Sequence, residues 1–115
     1  MINYVEHLFN AFKNSLNGLK YSVSEKAFQI EIFISLFVLP LCFYFIKNQI
    51  KLSILVSSFF LIFITELLNT GIEKTVDRIS YKKHILSKKA KDIGSAAVLV
   101  SIINFVFVLC LLFNY

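Results

Sequence analysis

Apolar positions along the chain fall into three long runs, and each has the length that a roughly 30 Å hydrocarbon core demands of a helix. The first spans residues 27–46, and its last fifteen residues carry no charge. The second spans 50–69 and is uncharged between Lys51 and Glu66. The third spans 93–113, and no charge follows it to Tyr115. Ahead of them the pattern is periodic: Val5, Leu8, Phe9, Phe12, Leu16 and Leu19 recur at helical spacing, with Glu6, Asn10, Lys13, Asn14, Asn17 and Lys20 largely opposite. Residues 1–21 therefore read as an amphipathic helix lying on a membrane surface.

Local signals refine these elements. Gly18 and the string Ser22-Val23-Ser24-Glu25 predict a break followed by a new helix start, the four residues matching a capping box. Pro40 lies inside the first span and predicts a kink that neighbouring helices can accommodate. No stop signal follows Asn69, and the periodicity continues to about Ile79, which predicts one long helix projecting out of the membrane. Ser80 to Ser87 reads as the turn, with Ser87 as N-cap of the last helix. Ala90, Gly94, Ala97 and Ser101 form a small-residue ridge of the kind that lets membrane helices approach closely.

Composition agrees with this plan. A chain of 115 residues with 57% hydrophobic content and a mean hydropathy of +0.74 is too apolar for a small soluble domain. It predicts an all-α membrane protein, a single membrane domain over 1–115. The first run starts late and is followed by Lys47 and Lys51, unlike a signal peptide. The net charge of +5 is unevenly placed: Arg78 to Lys91 holds six positive residues and no carboxylate, and Lys13, Lys20 and Lys26 precede the first span. By the positive-inside rule the N-terminus and the basic loop 78–91 are cytoplasmic. Beside three spans, such a basic segment points to anionic headgroups or a phosphorylated substrate rather than to nucleic acid. Cys42 and Cys110 lie inside the predicted spans without CxxC spacing, and read as buried small hydrophobes.

One segment departs from this plan. Between Glu66 and Asp77 the chain places two glutamates, an asparagine and an aspartate at offsets that, at about 100° per residue, fall within an arc of roughly 80°. Ionisable groups at the edge of the hydrocarbon are costly and usually mark a pathway, a relay or a site. The alternatives are ordinary: Glu66 snorkelling or pairing with a lysine of the loop, Glu73 pairing with Lys74 or Arg78, Glu25 serving the capping box, and Lys91 and Asp92 simply charging the first turn of a helix. Glu31, inside the first span, is harder to explain that way. The three glycines, Gly18, Gly71 and Gly94, allow neither a P-loop nor a GxGxxG fingerprint. What remains is a set of carboxylates beside a lysine-rich segment, and Mg²⁺ takes one or two carboxylates together with substrate phosphates.

The strings ITELLNTGIEKTVDRI and HILSKKAKDIGSAAV, with SEKAFQIE upstream, resemble the signature of the bacterial integral-membrane diacylglycerol kinases. The resemblance covers nearly the whole chain. It implies a lipid kinase that phosphorylates diacylglycerol to phosphatidate with ATP, using Mg²⁺, as a homotrimer of the bacterial inner membrane with sites completed between subunits. Carried over by position, it implies that Glu66 is the general base and that Asn69 helps place the base or the phosphate. Glu25 and Glu73 would bind Mg²⁺ with the nucleotide, Lys91 and Asp92 would contact the nucleotide, and Lys82, Lys83 and His84 would lie near its base. Ser95 would sit beside the lipid, with Glu31 also at the substrate site. For residues 1–21, His7 and Asn14 are the nearest candidates for nucleotide contact. The related undecaprenol kinases share these carboxylates, but Gly94 and Ser95 look more like the diacylglycerol branch, the other being expected to carry a more Ala-rich variant. A small proton-coupled transporter would explain Glu66 yet leave Glu25, Glu73, Lys91 and Asp92 unused, and a purely structural membrane subunit would have no need of the stripe.

Overall fold

The computed structural model describes residues 2–114 and is all-helical over them. The order is α1 (Ile2–Ser22), α2 (Lys26–Phe45), α3 (Gln49–Ile79) and α4 (Ile85–Asn114). Helices α2, α3 and α4 are each long and apolar enough to cross a membrane. At 1.5 Å per residue, the 31 residues of α3 extend about 46 Å, well beyond a hydrocarbon core.

The start of α3 is fixed by Asn48, whose side chain accepts from the backbone N–H groups of Ile50 and Lys51 at 3.0 Å each. Such a cap contributes about 1 kcal/mol. At its far end the backbone turns extended at Ser80, and Ser80 Oγ accepts from the Lys82 N–H at 3.0 Å.

Other boundaries differ from the sequence expectations. The capping box is absent: α1 carries through Gly18 to Ser22, whose Oγ donates to the Gly18 carbonyl at 3.0 Å. Helix α2 starts at Lys26, with Glu25 itself at the N-cap position and making no side-chain cap. Ser22 cannot cap a following helix because it still belongs to the preceding one. Likewise α4 begins before Ser87, and His84 takes the capping role, its Nδ1 accepting from the Leu86 N–H at 3.1 Å. The non-helical stretch is only residues 80–84, so Arg78 lies on α3 and Lys88, Lys89 and Lys91 lie on α4. Cys42 is buried, as expected, whereas Cys110 is exposed.

The core is mainly the seam between α3 and α4. Apart from Ser58 beside the stripe, the buried α3 positions are Leu55, Phe59, Ile62, Glu66, Asn69 and Val76, with Glu73 half-buried between the last two. Steps alternating between three and four residues keep one narrow stripe facing a partner helix. Opposite it, the small residues of α4 allow close approach. Ser101 is 2% exposed and its hydroxyl lies 2.9 Å from that of Thr65. A Cβ on Gly94 would collide with the Asn69 amide. Aromatic edges knit the seam together, with Phe59 5.3 Å from Phe105 and 5.5 Å from Phe63 between ring centroids, and Phe28 brings α2 in against Phe63 at 5.5 Å. Large apolar side chains such as Phe33, Phe37, Phe43, Phe107 and Phe113 point outward, which a lipid solvent or neighbouring protein accommodates and water does not.

Candidate active site

The polar half of the α3 seam lines a cavity of about 620 Å³ bounded by Glu25, Lys26, Glu66, Asn69, Thr70, Glu73 and Ser95. Three elements supply it: the turn into α2 brings Glu25, α3 brings the stripe, and α4 brings Ser95. Glu66 is only 6% exposed, and among the described residues no cation forms an ion pair with it. It neither snorkels nor pairs with a lysine, so both ordinary explanations of Glu66 fail. Asn69, one turn on, is buried and donates through Nδ2 to Glu73 Oε1 at 3.4 Å. Its Oδ1 is buried without a hydrogen-bond partner. A buried unpaired amide oxygen is costly, and this one is packed against Gly94 in the α3–α4 seam.

One turn beyond Glu73, a second cleft of about 630 Å³ is lined by Asp77, Tyr81, Lys82, Lys83, His84, Lys88, Lys91 and Asp92 among others. Here the lysines are partly engaged. Lys91 Nζ lies 2.6 Å from Asp77 Oδ1 across the α3–α4 seam, with both groups part-exposed. Lys88 pairs with Asp92 at 2.5 Å within α4, where both are well exposed, so that pair is worth little.

Of the residues singled out from sequence, Glu25, Glu66, Asn69, Glu73 and Ser95 converge on the first cavity. Lys82, Lys83, His84, Lys91 and Asp92 converge on the second. Glu31 lines neither. It is half-buried on α2, with Oε2 unpaired. Lys74, one of the two alternatives offered above as a partner for Glu73, pairs instead with Glu25 at 2.5 Å. No linear pattern signals a contact between the α1–α2 turn and α3. The Thr65–Ser101 bond and the Asp77–Lys91 pair were also not foreseen, although Asp77 on the stripe and Ser101 on the ridge were half of each signal.

The donor set bears on which metal would fit. The carboxylates of Glu25, Glu66 and Glu73 line the cavity, and oxygen ligands of that kind suit a hard cation such as Mg²⁺. Among the described residues no group of three metal-ligating side chains is already assembled.

Comparison with known proteins gives a consistent result. Residues 13–113 match the family model described as prokaryotic diacylglycerol kinase. The chain is similar to a diacylglycerol kinase of Haemophilus influenzae, 41% identical over 97 residues that cover 84% of this chain and 82% of the relative. It is also similar to those of Escherichia coli K12, 40% identical over 85% of this chain and 81% of the relative, and Helicobacter pylori 26695, 38% identical over 85% and 77%.

Proposed function

The chain belongs to the prokaryotic diacylglycerol kinase family and is a membrane-embedded lipid kinase, and we propose that it transfers the γ-phosphate of ATP to diacylglycerol with Glu66 as the general base. The observation that carries the reading is a buried carboxylate without a counter-ion at the inner end of a cavity whose rim holds two further carboxylates. Such a group has access to a substrate dissolved in lipid, while Glu25 and Glu73 and the basic cleft beyond them face a substrate dissolved in water.

In this reading the Glu66 carboxylate takes the proton of the lipid hydroxyl. The resulting oxygen attacks the γ-phosphorus, and the bond from that phosphorus to its bridging oxygen breaks, releasing ADP and leaving phosphatidate. Asn69 sits one turn from the base and is tied to Glu73, so it positions the base and the phosphate relative to one another. Ser95, on the opposite wall, lies beside the lipid headgroup, with Glu31 behind Glu66. Mg²⁺ entering with ATP would be held by Glu25 and Glu73 and would neutralise phosphate charge. Lys91 and Asp92 contact the nucleotide, with Lys82, Lys83 and His84 near its base. Phosphoryl transfer needs chiefly positioning and charge neutralisation, which this set supplies without a P-loop.

The reading includes a bacterial inner-membrane location with the N-terminus and the basic segment on the cytoplasmic side, and α1 lying on that surface with Leu8, Phe9 and Phe12 in the lipid. It also includes a homotrimer with sites completed between subunits.

The test is transfer of labelled γ-phosphate from MgATP by the purified protein in mixed micelles, with diacylglycerol and undecaprenol offered separately. Labelled phosphatidate as the preferred product upholds the reading. Preference for the polyprenol moves the chain to the sister activity, and no labelled lipid from either, with the protein folded, overturns both.

A further inference from the structure

Lys74 lies outside the carboxylate cavity yet pairs with one of its carboxylates, a contact that the reading above does not use. It sits on α3 immediately after Glu73, and its ammonium lies 2.5 Å from Glu25 Oε1. Glu25 belongs at once to the carboxylate cavity and to a neighbouring cavity of about 790 Å³, lined by Leu19, Tyr21, Leu67, Gly71 and Lys74 among others. Lys74 thus reaches one of the two proposed metal-binding carboxylates from the side opposite Glu66. Its side chain is 67% exposed, against 34% for Glu25, so the lysine has room to swing away and the carboxylate has less.

Two cations cannot share this carboxylate without cost. An ammonium on one oxygen and a divalent ion on the same or the other oxygen stand within a few ångströms of each other. Their mutual repulsion then opposes the attraction each has for the glutamate. A nucleotide brings the remedy with it, because phosphate oxygens next to the metal offer the displaced ammonium a stronger partner than a shared carboxylate.

Building on the proposed roles of Glu25 and Glu73, we propose that Lys74 is a nucleotide-binding residue that works by exchange. Before the nucleotide arrives, Lys74 occupies Glu25 as a stand-in cation. When the metal and the triphosphate bind, Glu25 passes to the metal and Lys74 turns to the phosphates. Glu25 is thereby kept neutralised and aimed at the cavity in the resting protein. The same exchange makes Lys74 a competitor of the metal and a ligand of the phosphates, and these two roles have opposite signatures in one variant.

The test is Lys74→Gln in the full-length protein in mixed micelles, with lipid phosphorylation followed as free Mg²⁺ and ATP are varied separately, and with equilibrium binding of Mn²⁺ and of a non-hydrolysable ATP analogue measured on the same protein and expected to shift in the same directions. Removing the competitor is expected to lower the half-activating Mg²⁺ concentration by about 2- to 5-fold, the range for an exposed ion pair. Removing the phosphate ligand is expected to raise KM for ATP severalfold, with kcat changed much less. Lys74→Arg is expected to restore ATP KM toward wild type. A Mg²⁺ requirement that stays level or rises in Lys74→Gln, or an unchanged ATP KM, overturns the exchange. Glu25→Gln separates this from the underlying reading. If Glu25→Gln raises the Mg²⁺ requirement while Lys74→Gln does not lower it, only the role of Lys74 fails. If Glu25→Gln leaves Mg²⁺ dependence unchanged, the metal assignment itself fails.

Discussion

The two halves of α3 follow one geometric rule with opposite contents. From Leu55 through Phe59 to Ile62 the buried stripe is hydrocarbon and aromatic ring. From Glu66 through Asn69 to Glu73 the same stripe, at the same alternating spacing, is carboxylate and amide. Neither the helix nor the partner changes, since α4 runs alongside both. The polar half is therefore not a surface that happens to bear charge, but a continuation of the core in which side chains that would have packed have been replaced by groups able to bind and react. Its signs of strain are consistent with that: an uncompensated Glu66 and an Asn69 oxygen without a partner, against an apolar half whose side chains find neighbours.

The contrast predicts that mutations in the two halves fail differently. Glu66→Gln should cost two orders of magnitude or more in kcat while leaving thermal stability in micelles equal or higher, because a costly buried charge is removed. A variant that keeps near wild-type turnover would end the base assignment. Leu55→Ala, 1% exposed, should do the reverse. It should lower stability by about 2 kcal/mol, at the low end for a buried Leu→Ala change because surrounding lipid weakens the transfer contribution, with turnover per folded molecule preserved. Thermal unfolding followed by assay of the remaining folded fraction would separate the two. Glu73→Gln should raise the Mg²⁺ or ATP requirement by about tenfold, a typical loss when a metal site is impaired, and a normal titration would remove Glu73 from the metal site. The smallest effect belongs to the junction between the halves. Thr65→Val breaks the bond to Ser101 and should cost about 0.6 kcal/mol, the usual value for a hydrogen bond between membrane helices, readable as a small shift in the unfolding midpoint.

Much of this was legible in the chain. Runs of apolar residues long enough to span a bilayer define α2, α3 and α4, because inside lipid a backbone has almost no alternative to the helix. The stripe from Glu66 to Asp77 was visible because α3 is regular there, so angular position follows from residue number. What could not be read was anything set by one element meeting another. Glu25 was a plausible capping residue until the Lys26 start of α2 removed the cap and Lys74, some fifty positions away, supplied its partner. His84 falls in the turn, exposed, and only the backbone of that turn makes its ring the acceptor for Leu86. Cys110 was misread because an apolar segment in a membrane protein has no fixed inside, and a thiol on it faces whatever lies beyond the single chain.

The length of the apolar half of α3 has a further consequence. From Leu52 to Thr65 there are fourteen residues without charge, about 21 Å of helix, which is shorter than a typical hydrocarbon core of about 30 Å. Thinning of the bilayer, snorkelling of Lys51 at one end or burial of Glu66 at the other makes up the difference, and the cost of that mismatch grows with the acyl-chain length of the host lipid. The depth of the carboxylate proposed as the base is thus a property the membrane shares in setting, and bilayer thickness becomes a variable of the enzyme as much as substrate concentration is.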